Sequence, residues 1–146
     1  MKTMPIPSIP GALAREDGSV KLPECTSIMP CGKERVHKTK WITGSRHKAS
    51  KHARHEYLRL YYRGKCYKMH RLICEAFHGP APVGKNVVLH LDENAFNNRP
   101  ENLKWGTQKE NLNMPKIVAL FKERTGDNSS YRKGKLKKMN QSLERV

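Results

Sequence analysis

One histidine and a set of asparagines stand at a spacing that could carry chemistry. They fall within residues 87–113, VVLHLDENAFNNRPENLKWGTQKENLN, where His90 closes an apolar run and Asn102 and Asn111 follow. A neutral imidazole, with an unperturbed pKa of about 6.5, is well placed to take a proton from water near neutrality. The elements that would hold these residues can be read locally. Val87, Val88 and Leu89 form a short buried strand, since such side chains pack well on a pleated surface. Residues 92–100 are loop, rich in Asn, Asp and Pro. A second strand spans 103–106. Thr107 and Glu110 have capping-box spacing, so a helix begins at Gln108 with Asn111 on its first turn. Strand, loop, strand and helix fold back on themselves, which lets His90 and Asn111 face each other.

The composition narrows the partners. The chain has 146 residues, a formal net charge of +16, 36% hydrophobic and 29% charged residues. Such an excess of cations steers association toward a polyanion. No run approaches the roughly 20 apolar residues of a spanning helix. The start, MKTMPIPSIPG, lacks the apolar core of a signal peptide. A cytoplasmic protein with no membrane partner is expected. Cys25, Cys31, Cys66 and Cys74 include no Cys-x-x-Cys pair. Free thiols are therefore expected, and no structural zinc.

Upstream, Ala12-Leu13-Ala14 and Val20-Lys21-Leu22 flank an Asp-Gly turn and read as a hairpin. Residues 33–54 hold eight Lys/Arg and one acid, Glu34, without apolar periodicity, so neither helix nor strand is drawn there. They read as a DNA-backbone-binding loop, with Lys48, Lys51 and Arg54 as candidate contacts; a solvated basic surface is the alternative. His47, His52 and His55 are expected to be exposed. Residues 57–69 alternate, with Leu58, Leu60 and Tyr62 on one face and a turn at Arg63-Gly64. Residues 69–77 form a helix with Leu72, Ile73, Ala76 and Phe77 as its stripe. Arg71 lies off that stripe, and an arginine near a reacting phosphate would stabilise developing charge. A further helix begins near Pro115 and ends at Gly126, with Ile117, Val118, Leu120 and Phe121 on its apolar face. Beyond it the chain is basic, with Lys133 and Lys135 as further DNA contacts or as part of a disordered tail.

The frame HLDEN…NNRPENLKWGT…EN resembles the HNH endonuclease motif, in the variant of phage and intron homing endonucleases that ends in Asn. HRLICEAFHG resembles the helix that precedes it, and GDNSSYRKGK faintly resembles the DNA-binding modules appended to such enzymes. The resemblance implies an α+β fold: N-terminal β-hairpins and a helix leading into a ββα-metal finger, then a helical, basic C-terminal extension. The corresponding regions are 1–68, 69–114 and 115–146. It implies a DNA endonuclease leaving 5′-phosphate and 3′-hydroxyl ends. His90 would be the general base, Asn102 the brace of the catalytic loop, and Asn111 the ligand of Mg²⁺, for which Mn²⁺ can substitute. Arg99 would join Arg71 as a DNA contact. Many family members carry Asp directly before the catalytic histidine, where this chain has Leu89. Asp92 could supply a carboxylate in its place, although a turn-forming role suits it better. The partner is double-stranded DNA, bound by a monomer or homodimer. A DNA-binding protein with a degenerate finger and an RNA-binding basic protein are the competing readings. The aromatic share of 7% offers few stacking platforms for the latter.

Overall fold

Two short sheets, two ribbons and three α-helices are the main elements of the described residues. The computed structural model describes residues 1–53 and 55–125, so Arg54, Lys133 and Lys135 lie outside the described residues. The chain divides into two compact units, Met1–Thr107 and Gln108–Val146.

In the first unit, β1 (Thr3–Pro5), β2 (Leu13–Arg15) and β3 (Val20–Lys21) lead to β4 (Cys25–Ile28), β5 (Glu34–His37) and β6 (Trp41–Ile42). β7 (Ser45–Lys48), β8 (Glu56–Tyr62) and β9 (Lys65–Lys68) follow, then α1 (Met69–His78), β10 (Val87–His90) and β11 (Leu103–Gly106). The sheet orders are β1-β2-β3-β6, β7-β8-β9, and the pairs β4-β5 and β10-β11, all antiparallel. The second unit holds α2 (Gln108–Leu112) and α3 (Pro115–Thr125). The fold is α+β. Among the described residues no helix is long and apolar enough to cross a membrane.

Turn chemistry sets the hairpins. Arg63 and Gly64 both have positive φ, 47° and 76°, the two left-handed positions of a turn whose twist matches the flanking strands. Residues 33–54, expected to lack regular structure, instead contain β5, β6 and β7. The reason is visible in their burial: β5 is exposed at all four positions and β6 has only two residues. Neither exposed ribbons nor two-residue strands leave an apolar period. The β7 register is imposed by β8, with Arg46 opposite Leu58 and His47 opposite Tyr57. His47 is accordingly half-buried, not exposed as expected, whereas His52 and His55 are exposed.

α1 is the centre of the core. Met69, Leu72, Ile73 and Cys74 are at most 2% exposed, so the helix is covered on more sides than its sequence stripe suggested. They pack with Ile6 and Ile9 from the loop after β1, with Ala14, Val20 and Leu60 from β2, β3 and β8, and with Leu103 and Trp105 of β11. Trp105 Nε1 donates to the Gly79 carbonyl at 2.9 Å, which ties the end of α1 to β11. All four cysteines are free thiols.

Gly44 shows how closely the β6–β7 connection approaches α1. A Cβ there would meet Met69 Cγ at 2.7 Å and the Arg59 carbonyl oxygen at 2.9 Å, at a φ of +84°. A side chain would be both strained and in collision with backbone. Gly44→Ala should lower the unfolding free energy by about 1–3 kcal/mol, as expected for a residue forced into a glycine-only conformation. Urea titration checks this, and a stability equal to that of the parent protein would mean that the connection yields freely.

Candidate active site

The site is built on the β10–β11 ribbon and the loop between its strands. His90 is the last residue of β10, opposite Leu103 of β11. Side chains alternate along a strand, so His90 shares a face with Val88, and Leu89 lies on the other. The shared face is the one that meets α1: Val88, Leu103 and Trp105 all pack in the core. Leu89 is 6% exposed but stands outside that cluster.

Asparagine and aspartate bonds organise the loop after His90. The Glu93 amide donates to the His90 carbonyl at 2.9 Å, closing a tight turn in which Glu93 has φ of +58°. The Asn102 Oδ1 accepts from the Asp92 amide at 2.9 Å. Its Nδ2 donates to Asp92 Oδ1 at 2.8 Å and to the Asn97 carbonyl at 3.0 Å. Asp92 Oδ1 also accepts from the Asn94 amide at 2.8 Å, and Asp92 Oδ2 accepts from Asn97 Nδ2 at 2.7 Å. Donation by Asn97, by the Asn94 amide and by Asn102 holds the Asp92 carboxyl below its ordinary range. Both carboxylate oxygens are thus committed to the loop's own donors.

His90 is held through its ring. Asn98 is 3% exposed, and its Oδ1 lies 3.2 Å from His90 Nε2. An amide oxygen only accepts, so with this arrangement Nε2 carries the proton and Nδ1 keeps the basic lone pair. Asn98 is itself seated on the β2–β3 turn: a Cβ at Gly18 would stand 3.1 Å from its carbonyl carbon and oxygen. The ring of His70 from α1 also meets His90 edge-on, with centroids 5.2 Å apart and planes at 74°. Burial pushes the His90 pKa below 6.5, partly opposed by the bond to Asn98 and by the Asp92 charge. A base so placed stays neutral through physiological pH.

Sequence reasoning did not single out Asn98, and it read His70 as structural more readily than as a DNA contact. Asn98 is the second residue of an Asn-Asn pair in a loop where every asparagine suits a turn. His70 lies off the expected apolar stripe yet is 7% exposed.

The other candidates are more scattered. Arg71 is exposed, donates to the Asn86 carbonyl at 3.2 Å and stacks over Trp105. Arg99 is exposed and 4.0 Å from Glu101. Lys48 pairs with Glu56 across β7 and β8 at 3.5 Å, while Lys51 is an exposed turn residue. Asn111 lies on α2, in the second unit. Among the described residues no three His, Cys, Asp or Glu side chains converge into a metal cage.

A cationic cleft of about 550 Å³ opens in the N-terminal region, between the β4–β5 ribbon and the end of β8. Arg35, Lys38, Lys40 and Arg63 line it with Tyr61, and no acidic side chain does.

Stability should report the buried histidines. Burial foremost, then the nearby His90, Lys68, Arg71 and Arg59, push the His70 pKa from 6.5 down to about 3. Below pH 6.5 the unfolded chain binds a proton that the folded chain refuses. The stability present above pH 6.5 is therefore lost progressively as pH falls toward about 3. Asp92, held below 3.8, contributes its loss only under that value. Urea unfolding between pH 7 and 4.5 should show stability falling by up to about 1.4 kcal/mol per pH unit for such a group. His70→Phe should remove much of that slope, and a slope unchanged by it would place the cause elsewhere.

Residues 67–113, roughly a third of the chain, match the family model described as HNH endonuclease. No curated protein matches the chain. A solved structure described as "DNA binding and cleavage by the HNH homing endonuclease I-HmuI" is similar at 23% identity with a TM-score of 0.47. The likeness covers 82% of this chain and 60% of that one.

Proposed function

We propose that the protein, whose residues 67–113 match the HNH endonuclease family model, is a metal-dependent endonuclease that hydrolyses phosphodiester bonds of double-stranded DNA. The observation that carries this reading is the held, neutral His90, with Nε2 bound to Asn98 and Nδ1 left basic. Nδ1 takes a proton from water, and the hydroxide attacks the phosphorus. The resulting imidazolium is stabilised by Asn98 Oδ1 and by the nearby Asp92 carboxylate, the two groups that raise its proton affinity. The bond to the 3′ oxygen breaks and that oxygen takes up a proton from solvent water, leaving 5′-phosphate and 3′-hydroxyl ends.

The donors suit a cation that needs few protein ligands. Leu89 offers none, the Asp92 oxygens are bound within the loop, and the family resemblance offers the amide oxygen of Asn111. Mg²⁺ keeps several waters and fits so sparse a set, with Mn²⁺ as a substitute. When bound, it supplies charge neutralisation at the scissile phosphate and the leaving oxygen.

DNA affinity comes from the cationic N-terminal surface. The acid-free lining of the 550 Å³ cleft suits a phosphate backbone better than Lys48, whose charge Glu56 offsets. Arg71 precedes the ribbon on α1, Arg99 lies in the loop between its two strands, and both are further candidate contacts.

The test is incubation of purified protein with supercoiled plasmid and magnesium, which should convert it to nicked or linear forms. His90→Ala should slow cleavage by about 10²–10⁴-fold, the usual worth of a general base, with DNA affinity nearly unchanged. Retained binding without cleavage by the parent protein would favour the degenerate finger. Cleavage by His90→Ala within tenfold of the parent would remove His90 from the role.

Binding should weaken steeply with salt as cationic side chains release counterions. Neutralising Arg35, Lys38 and Lys40 together should flatten the slope of log K against log salt by roughly 2–3, at about 0.9 per phosphate contact. Lys48→Ala should change it less. An unchanged slope in the triple variant would show that the cleft lies outside the DNA footprint.

A further inference from the structure

α1 spends a buried position on an imidazole. Met69, Leu72, Ile73, Cys74 and Ala76 are its apolar buried residues, and His70 is its buried polar one. His70 Nδ1 is buried without a hydrogen-bond partner among the described residues. An unpaired buried polar atom carries a desolvation cost that a leucine there would not. The ring's contacts offer a reason for the imidazole. It meets His90 edge-on at 5.2 Å, and Tyr57 of β8 at 5.5 Å with planes tilted by 56°. Tilted and T-shaped pairs are preferred aromatic geometries, so these contacts fix ring planes as well as distances.

We infer that His70 is a positioning residue for the catalytic base: its ring is the wall that, together with the bond to Asn98, fixes the plane of the His90 imidazole. This rests on the proposed nuclease reading and adds to it a residue outside the His90–Asn111 stretch. A single hydrogen bond from Nε2 to Asn98 leaves the imidazole free to rock about that bond. The His70 ring blocks this motion from the side of α1. The two restraints come from separate elements, a core helix and the catalytic loop, and both are buried.

The environment also keeps the wall uncharged. The charged groups around His70 are Lys68, Arg71 and Arg59, all cationic, together with His90 itself. A neutral ring beside His90 does not oppose the positive charge that His90 gains on taking a proton. A lysine at the same place would.

The experiment compares His70→Ala, His70→Leu and His70→Phe in the full chain, each checked for folding by circular dichroism. Cleavage is measured at saturating enzyme, and plasmid affinity separately. His70→Ala and His70→Leu should cleave about ten- to a hundredfold more slowly, the range a displacement of order 1 Å at a reacting group can cost. Affinity should stay within about twofold, because the restraint acts on the base and not on the DNA contacts. His70→Phe restores the ring and should recover most of the rate. A Phe variant as slow as the Ala variant, or a Leu variant as fast as the parent, would overturn the inference.

Long-range ¹H–¹⁵N spectra of the imidazoles give a readout independent of cleavage. In the parent protein His90 should hold a single tautomer with the proton on Nε2, and in His70→Ala a mixture. A parent protein that cleaves no DNA but shows this change would sink the nuclease reading and keep the positioning role. The same tautomer population in both proteins would remove the positioning role, whatever the activity.

Discussion

The structure depends on the burial of one ten-residue helix. A chain that is 36% hydrophobic with a net charge of +16 cannot build two cores in its first 107 residues. Among the described residues, every buried hydrophobic residue except Leu89 gathers with α1 in one cluster. Ile6 and Ile9 arrive from the loop after β1, Val20 from β3, Leu60 from β8, and Leu103 and Trp105 from β11. Fully burying such a side chain contributes roughly 1.5–3 kcal/mol, so a handful of contacts made by one helix hold three of the four small sheets together, the β4–β5 pair contributing no buried core residue. The β10–β11 pair would not stand alone, since isolated two-stranded hairpins are marginal in water. The β10–β11 ribbon therefore inherits its rigidity from the helix. Trp105 does this twice, by burying its ring and by donating its indole N–H to the end of α1.

The loop after His90 meets a different constraint, which is to stay ordered without a core of its own. It does so with amides. Asn102 satisfies both ends of its side chain against Asp92 and Asn97, and Asp92 draws in Asn94 and Asn97 in turn. Asparagine suits this because one side chain both donates and accepts without adding charge. The single carboxylate at the centre, Asp92, gathers donors and also places a negative charge near His90, which raises the base's proton affinity against the effect of burial. Loop order and the tuning of His90 are consequences of the same few bonds.

Much of this was legible before any coordinates. The β10–β11 ribbon, the start of α2 at Gln108 and the Arg63-Gly64 turn follow from alternation, a capping box and turn dipeptides, all local signals. The exposed β4–β5 ribbon and the strands within residues 33–54 were not legible, because strands exposed on both faces leave no apolar period to read. The site divides along the same line. His90 and Asn102 stand out by type and spacing. Asn98 acquires its role only because Gly18, eighty residues earlier, lets the loop approach, and His70 only because α1 carries it against β10. The pairing of Lys48 with Glu56 depends likewise on the β7–β8 register. Tertiary contacts assign these roles, and a single sequence holds no periodic trace of them.

Leu89 shows how local packing and chemistry are traded within one strand. Alternation sends His90 toward α1 and Leu89 to the opposite face, where it is 6% exposed. A carboxylate in that position would offer a cation a charged oxygen, but a buried carboxylate without its cation pays a large desolvation cost. Leucine avoids that cost, and its burial stabilises the ribbon whether or not a metal is bound. The same strand then presents His90 from a scaffold whose order does not wait for the cation. What is given up is ligand charge at position 89. In the proposed enzyme the remaining coordination would pass to neutral oxygens, water and the phosphate itself, which would tie cation affinity to the presence of DNA.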